Sequence, residues 1–260
     1  MSRLQQMFSG KQKDILSVFY TAGFPKLNDT VTIAKHLEKA GADIIEIGIP
    51  FSDPVADGPT IQASNKIALD NGMSVKLLLE QVREIRKEVK TPIILMGYLN
   101  PVLQYGIEKF CKDAAENGVD GLILPDLPID EFKTEFKDLT KSLGLDVVFL
   151  ISPTTSEDRI KTIDELSSGF VYAISSSSTT GAKTGFTTDQ EDYFKRIKSM
   201  KLQNPFLIGF GISDLETFSK ACESASGAIV GSAFINLLKE SNNFEADIKN
   251  FVKNLKDLSA

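Results

Sequence analysis

Eight short apolar segments alternate with longer amphipathic segments along the 260 residues of the chain. The apolar segments are continuous runs rich in Ile, Leu, Val and Phe, which is typical of parallel strands that helices cover on both faces. Because strict strand–helix alternation builds a parallel sheet, eight such units with no linker between them predict a single (β/α)8 TIM-barrel domain over residues 1–260. The predicted strands span residues 15–21, 43–48, 92–96, 121–124, 146–151, 170–175, 205–209 and 228–230.

An open, doubly wound sheet is the alternative architecture for this alternation. The first predicted strand lacks the Gly-x-Gly-x-x-Gly turn that follows it in a dinucleotide-binding fold, which favours the closed barrel. Around the barrel we expect a short N-terminal helix and two long loops, one after the second strand and one after the sixth. Further helices are predicted over residues 30–40, 60–71, 74–89, 106–117, 130–143, 156–166, 189–200, 215–222 and 244–258.

The charge of the chain restricts its partners. With 29 Lys and Arg against 35 Asp and Glu, the net charge is −6, so we expect neither nucleic acid nor an anionic membrane as a partner. No apolar run approaches the roughly 20 residues that cross a bilayer, and residues 1–8 lack the apolar core of a signal peptide. We therefore expect a cytoplasmic protein.

Histidine and cysteine are scarce. The single histidine, His36, falls in the middle of a predicted helix, and Cys111 and Cys222 lie in separate amphipathic segments. Two scattered thiols do not make a disulfide framework. We therefore expect a surface histidine, buried thiols, and no metal or redox cofactor in this chain.

Glu46 lies inside the second apolar strand, near its end. If its neighbours Ile45 and Ile47 face the helices, Glu46 faces the barrel interior at the carboxyl ends of the strands, where such barrels carry their chemistry. Burying a carboxylate without a partner is costly. Glu46 is therefore either held by a buried salt bridge or hydrogen bonds, or is a general acid/base whose pKa burial has raised. Its place at the strand end favours the second interpretation.

The loop over residues 50–59 is oversized for a simple connection and holds three prolines. Prolines restrict its freedom, which suits a lid over a ligand. Asp57 is a candidate acceptor for a ligand N–H. Asp53 either caps a turn or has a functional role.

Two glycine-rich turns follow the last two strands. Residues 209–213 read GFGIS, and residues 231–233 read GSA and open a short helix. Glycines let backbone N–H groups approach an anion, a helix N-terminus adds a favourable dipole, and these two loops form the recurrent phosphate site of TIM barrels. Neither turn contains Lys or Arg, which fits a phosphate site made of backbone amides.

The sixth loop, residues 175–186, is long, small and polar. It is either a solvated linker or a second lid whose glycines reach the phosphate. Tyr172, at the end of the sixth strand, is either a core aromatic or a substrate contact. The residues alone thus indicate a barrel enzyme that acts on a small phosphorylated substrate by carboxylate acid/base chemistry.

Residues 46–59 read EIGIPFSDPVADGP and are followed by TIQ. This run closely resembles the signature of the tryptophan synthase alpha chain family, and it is the most specific part of the resemblance. The glycine-rich pieces are shared with other phosphate-binding barrels. Family-like segments along nearly the whole chain are TAGFP at 21–25, MGYLNP at 96–101, GLILPDLP at 121–128, SPTT at 152–155, GFVY at 169–172, GFGIS at 209–213 and GSA at 231–233.

The resemblance implies a reverse aldol cleavage of indole-3-glycerol phosphate to indole and glyceraldehyde 3-phosphate, a lyase reaction of tryptophan biosynthesis. Glu46 then matches the family's acid/base residue, and Asp57 matches the carboxylate that holds the indole N–H. Tyr172 matches an aromatic residue that contacts the substrate. The remaining implied substrate-binding positions, most of them around the phosphate, are Thr180, Gly181, Phe210, Gly211, Ile212, Gly231 and Ser232.

The resemblance also implies a partner. Alpha chains of this family pair with a pyridoxal-phosphate-dependent beta chain in an alpha2-beta2 tetramer, so the cofactor belongs to the partner and none is expected in this chain. Asp53, Tyr98 and Asn100 lie in loops that face the beta chain in the family.

The sixth loop departs from the family pattern. Where the family commonly has Ser-Arg-x-Gly-Val-Thr-Gly, residues 175–181 read SSSSTTG, so Ser176 replaces an arginine and Ser178 a glycine. These changes bear on loop closure and its coupling to a beta chain. Two alternatives stay open beside a working alpha chain: a free-standing lyase of the same chemistry, and a catalytically weak activating subunit. The Glu46 and Asp57 pair argues against the last.

Overall fold

The structure, a computed structural model, describes residues 1–175 and 186–256. Within these ranges nine parallel strands form one sheet in the order β5-β4-β3-β2-β1-β9-β8-β7-β6. The strands are β1 (Ile15–Thr21), β2 (Ile44–Gly48), β3 (Ile93–Met96), β4 (Gly121–Ile123), β5 (Asp146–Val148), β6 (Leu150–Ile151), β7 (Val171–Ile174), β8 (Phe206–Gly209) and β9 (Gly227–Val230).

The two edge strands of this order, β5 and β6, are consecutive in the chain and are separated only by Phe149. β5 pairs with β4, β6 pairs with β7, and the carbonyl of Phe149 accepts a hydrogen bond from the backbone N–H of Tyr172 at 2.9 Å. The two short strands are thus one interrupted strand that closes the sheet. The predicted (β/α)8 barrel is confirmed, with its fifth strand in two pieces.

Helices surround the sheet and follow the predicted alternation with two differences. The first difference is that a π-helical turn, Phe132–Phe136, divides the predicted helix over 130–143. The second is an additional helix after β3. Pro101 lies in the first turn of that helix, where its missing N–H costs no hydrogen bond. The helices are α1 (Arg3–Gly10), α2 (Asp29–Ala40), α3 (Pro59–Asp70), α4 (Val75–Ile85), α5 (Leu99–Tyr105), α6 (Ile107–Glu116), α7 (Ile129–Glu131), α8 (Lys137–Leu143), α9 (Glu157–Leu166), α10 (Thr188–Ser199), α11 (Leu215–Ser224), α12 (Ser232–Glu240) and α13 (Phe244–Lys256). Among the described helices, none is long and apolar enough to cross a membrane.

The core has two layers. The outer layer, between strands and helices, contains Ile45 and Ile47. The inner layer fills the barrel and contains Ile44 and Tyr172. Because side chains alternate along a strand, Glu46 shares the inward face of β2 with Ile44. The alternation therefore places a carboxyl group inside an apolar barrel.

The amino-terminal end of the barrel is closed by α1. Leu4 is fully buried in the inner layer, and the ring of Phe8 lies 5.9 Å from that of Phe170. Polar contacts fix the helix from outside: the Arg3 guanidinium bonds to the Asp120 carboxylate at 2.8 Å, and the Gln5 amide donates to Asp146 at 2.9 Å. Within the described residues α1 thus seals this end, and the interior faces the carboxyl ends of the strands.

Asp120 accepts several of the hydrogen bonds that stabilise this closed end. It is 3% exposed, and it accepts hydrogen bonds from the buried guanidinium of Arg86 and, at 2.8 Å, from the backbone N–H of Ile93. We expect Asp120→Ala to lower the free energy of unfolding by about 3–5 kcal/mol, because it leaves the largely buried Arg86 charge without its carboxylate partner. Denaturant unfolding of the full chain measures the change.

The matched control is Asp70→Ala. Asp70 forms an exposed ion pair with Lys66 at 2.6 Å, and exposed pairs contribute about 0–1 kcal/mol. Equal effects of the two substitutions would contradict the role assigned to Asp120.

Candidate active site

Glu46 is fully buried on β2, between Phe19 of β1 and Ile94 of β3. The Ser17 hydroxyl donates a hydrogen bond to its Oε1 at 2.6 Å, and its Oε2 has no hydrogen-bond partner in the described part of the chain. Burial raises the pKa of Glu46 to about 7, against the lowering effect of the Ser17 hydrogen bond. At neutral pH this carboxyl is therefore poised both to give and to take a proton.

Asp57 lies in the loop that joins β2 to α3, two residues before the helix begins. The loop is held by hydrogen bonds from the Asp57 N–H to the Pro54 carbonyl at 3.0 Å and from the Gln62 amide to the Asp57 carbonyl at 2.8 Å. The carboxyl is half-buried, and burial raises its pKa to about 6 while a hydrogen bond with Tyr98 lowers it. Asp57 is thus a carboxylate at neutral pH in a partly dry setting.

Tyr98, at the end of β3, is the contact that holds this loop in place. Its hydroxyl accepts a hydrogen bond from the Ala56 N–H at 3.0 Å and interacts with the Asp57 carboxyl, and its ring lies 5.2 Å from that of Phe51. Burial, followed by the Asp57 charge, raises the pKa of Tyr98 to about 12. From the sequence, Tyr98 is one of the polar strand-end candidates for chemistry, and the resemblance places it in a loop that faces the partner. Its place at a strand end was the signal for a role in the site itself.

Tyr172 lies on the inward face of β7 and is 4% exposed. Burial raises the pKa of its phenol well above the usual range, and the charges of Glu46 and Asp57 raise it further. The ring belongs to the inner layer of the core, on the inward face that Glu46 also occupies. It also crowds Gly209, where an added Cβ would meet the Tyr172 ring at 2.3 Å. Glycine at this position is what lets the ring lie across the barrel mouth.

The glycine-rich turn after β8 has an unusual backbone. Phe210 and Gly211 adopt positive φ values of 70° and 79° in succession. Ser175, at the end of β7, holds this turn by donating its hydroxyl to the Phe210 carbonyl at 2.6 Å and its N–H to the Gly209 carbonyl at 2.9 Å. Phe210 and Gly211 are exposed, whereas Ile212 is buried and anchors the turn.

The turn after β9 opens α12. Gly231 is the N-cap of this helix and offers no side chain to its first-turn N–H groups, and Ser232 is exposed at the first helical position. These N–H groups lack acceptors within the helix, so the terminus suits an anion. Because β8 and β9 are paired neighbours, the two turns lie side by side at the same end of the barrel as Glu46.

Two proposed substrate-binding residues, Thr180 and Gly181, lie outside the described residues, as do Ser176 and Ser178. Asp53 and Asn100 are exposed, and the Asp53 carboxylate accepts a hydrogen bond from the adjacent Ser52 hydroxyl at 2.5 Å. Within residues 1–175 and 186–256, no group of three or more potential metal ligands lies together.

The fold and site define a TIM barrel that carries an acid/base carboxyl, a second carboxyl on a lid loop, and two anion-accepting turns at one end. The sequence model of the tryptophan synthase alpha chain matches residues 5–260. A relative named tryptophan synthase alpha chain, from Flavobacterium johnsoniae, is 55% identical over 93% of this chain and 95% of its own length. The chain belongs to the tryptophan synthase alpha chain family, an enzyme family of tryptophan biosynthesis, and the resemblance seen in the sequence is confirmed.

Solved structures agree. Tryptophan synthase subunit alpha from Legionella pneumophila is similar with a TM-score of 0.89 and 34% identity, covering 99% of this chain and 98% of that one. A chain of the tryptophan synthase complex from Pyrococcus furiosus is similar with a TM-score of 0.85 and 36% identity, covering 95% of this chain and 99% of that one. The similarity therefore extends over the whole barrel, including both ends.

Proposed function

We propose that this chain cleaves indole-3-glycerol phosphate to indole and D-glyceraldehyde 3-phosphate by a reverse aldol reaction. The observation that carries the proposal is the Glu46 carboxyl, which is buried inside the barrel, has a pKa of about 7, and has one oxygen without a hydrogen-bond partner among the described residues. A group with these properties suits a reaction that needs a proton given and a proton taken at neighbouring atoms.

In the proposed mechanism the protonated Glu46 donates its proton to C3 of the indole ring, which gives an indolenine-like cation. The resulting carboxylate then accepts the proton of the adjacent side-chain hydroxyl while the bond from C3 to that carbon breaks. The electron pair of the broken bond returns to the ring and restores neutral indole. The hydroxyl carbon becomes the aldehyde, and Glu46 is left protonated for the next cycle.

Asp57 has the complementary role. As a carboxylate it accepts a hydrogen bond from the indole N–H and stabilises the positive charge that develops on the ring when C3 is protonated. Tyr98 holds the lid loop that carries it, and Tyr172 offers a buried ring on the inward face of the barrel. The two catalytic groups thus need opposite protonation states, neutral for Glu46 and charged for Asp57.

The phosphate is proposed to bind the two turns after β8 and β9. Backbone N–H groups of residues 210–212 and of the start of α12 at Gly231 and Ser232 supply the donors, with the helix dipole adding to the attraction. Thr180 and Gly181 are proposed to complete this site. The turns hold the substrate by an end that takes no part in bond cleavage.

The test is release of indole from indole-3-glycerol phosphate by the purified chain, measured as kcat/KM across pH. Activity should rise as Asp57 loses its proton near pH 6 and fall as Glu46 loses its proton near pH 7, which gives a narrow bell. The substrate phosphate also titrates near pH 6, so Asp57→Asn is needed to assign the acid limb. A flat profile, or no indole at any pH, would overturn the proposal.

We further propose that the chain works with a pyridoxal-phosphate-dependent beta chain in an alpha2-beta2 tetramer, in the cytoplasm, and passes indole to it. One similar solved structure is a tryptophan synthase complex, which supports this choice over a free-standing lyase. Adding a beta chain to the indole assay separates the two. Stimulation by the beta chain supports the complex, whereas full unaided turnover supports the free-standing lyase.

A further inference from the structure

Ser17 is a buried polar residue in an otherwise apolar wall of the barrel. It lies on β1, is fully buried, and pairs in register with Ile44, two residues before Glu46 along β2. Its hydroxyl therefore reaches Glu46 from the sealed side of the barrel, opposite to the open end. The 2.6 Å hydrogen bond to Oε1 engages the carboxyl on that side.

No other side chain among the described residues forms a hydrogen bond with the Glu46 carboxyl. The residues beside it on the neighbouring strands, Phe19 and Ile94, are apolar, and its Oε2 has no hydrogen-bond partner among the described residues. A glutamate side chain has three rotatable bonds, and an acid/base group must hold its productive geometry closely. The single hydrogen bond from Ser17 is what distinguishes the two carboxyl oxygens.

We propose that Ser17 is a positioning residue for the reaction: its hydroxyl anchors Oε1 of Glu46 from the sealed side of the barrel and leaves Oε2 free to exchange the proton with substrate. The proposal rests on the proposed acid/base role of Glu46. Ser17 itself touches no reacting atom and acts only through the carboxyl it holds.

The hydrogen bond also has a chemical consequence. A hydroxyl donor stabilises the charged carboxylate, so Ser17 lowers the pKa of Glu46 while burial raises it. The titratable groups that face this region in the described chain are Tyr172 from β7 and Asp57 from the lid loop. If the Ser17 hydroxyl is removed, the raising effect of burial is no longer offset and the pKa of Glu46 increases.

The experiment compares Ser17→Val with Ser17→Thr, which have the same branched shape and differ in the hydroxyl. In Ser17→Val we expect the alkaline limb of kcat/KM to move up by about one pH unit, the size of one hydrogen bond to a charged group. We expect kcat to fall about 10- to 100-fold through misplacement of the carboxyl, with KM little changed because the phosphate turns are intact. For Ser17→Thr, the alkaline limb of kcat/KM, the kcat and the KM should all stay near the wild-type values.

A second readout does not depend on activity. Infrared difference titration reports the Glu46 carboxyl directly, with its band assigned by its loss in Glu46→Gln, and should give a higher pKa in Ser17→Val. The proposal is overturned if the infrared pKa is unchanged in Ser17→Val, or if the Val and Thr variants behave alike. If Glu46→Gln cleaves substrate normally, the proposed function fails, and the infrared titration alone decides whether Ser17 holds the carboxyl.

Discussion

Glu46→Gln is expected to reduce kcat for indole release by about 10⁴-fold, the upper end of what one acid/base group contributes, because Glu46 serves both proton transfers. An amide has nearly the same shape as the carboxylic acid but has no proton to give to C3. The substrate should still bind, since the backbone N–H groups proposed to hold its phosphate, in the turns after β8 and β9, are unchanged by the substitution. Single-turnover kinetics measures the first effect and calorimetric titration with substrate the second.

The exposed Glu80 provides the control, because Glu80→Gln makes the same chemical change on α4, outside the barrel interior. It should leave kcat at the wild-type value. If Glu46→Gln releases indole at a rate close to that of Glu80→Gln, the acid/base mechanism is wrong.

Asp57→Asn is expected to lower kcat by about 10²- to 10³-fold, the range found when one preorganised group that stabilises transition-state charge is removed. A neutral amide accepts a hydrogen bond from the indole N–H but cannot offset the positive charge that grows on the ring. The loss should therefore appear mainly in kcat. The acid limb of the pH profile assigned to Asp57 should disappear with it.

Asp53 supplies the matched control on the same loop. It is exposed, and its carboxylate accepts from the adjacent Ser52 hydroxyl, so Asp53→Asn should leave cleavage by the isolated chain unchanged. A kcat for Asp57→Asn within a few-fold of the Asp53→Asn value would remove Asp57 from the catalytic groups.

The inward orientation of Glu46 could be predicted from the sequence because it depends on one strand alone. Alternation sets Ile45 and Ile47 on one face and Glu46 on the other, and the structure has this arrangement. The eight-unit barrel was predictable for the same reason, since each unit carries its own periodicity. Structural features that depend on a single strand or helix could therefore be predicted from the sequence.

Contacts between different strands and loops could not be predicted from the sequence. The bond from Ser17 to Glu46 requires the register of β1 against β2, and the contact of Tyr98 with the lid loop requires the end of β3 to lie under that loop. Neither register nor loop path follows from the periodicity of a single segment. The same limit hid the interruption at Phe149, which depends on how the fifth strand meets both its neighbours.

The order of strands around the barrel divides the sheet into two arcs, which are joined by the pairing of β1 with β9 and by Phe149. The first arc, β1 to β5, contributes both carboxyls, and the second, β6 to β9, contributes both anion-accepting turns. A substrate held by its phosphate on one arc thus presents its scissile bond to the other. Of two separate fragments divided near Phe149, one would contain both carboxyls and the other both anion-accepting turns. Recovery of substrate cleavage when the fragments are mixed would show that the barrel had reassembled.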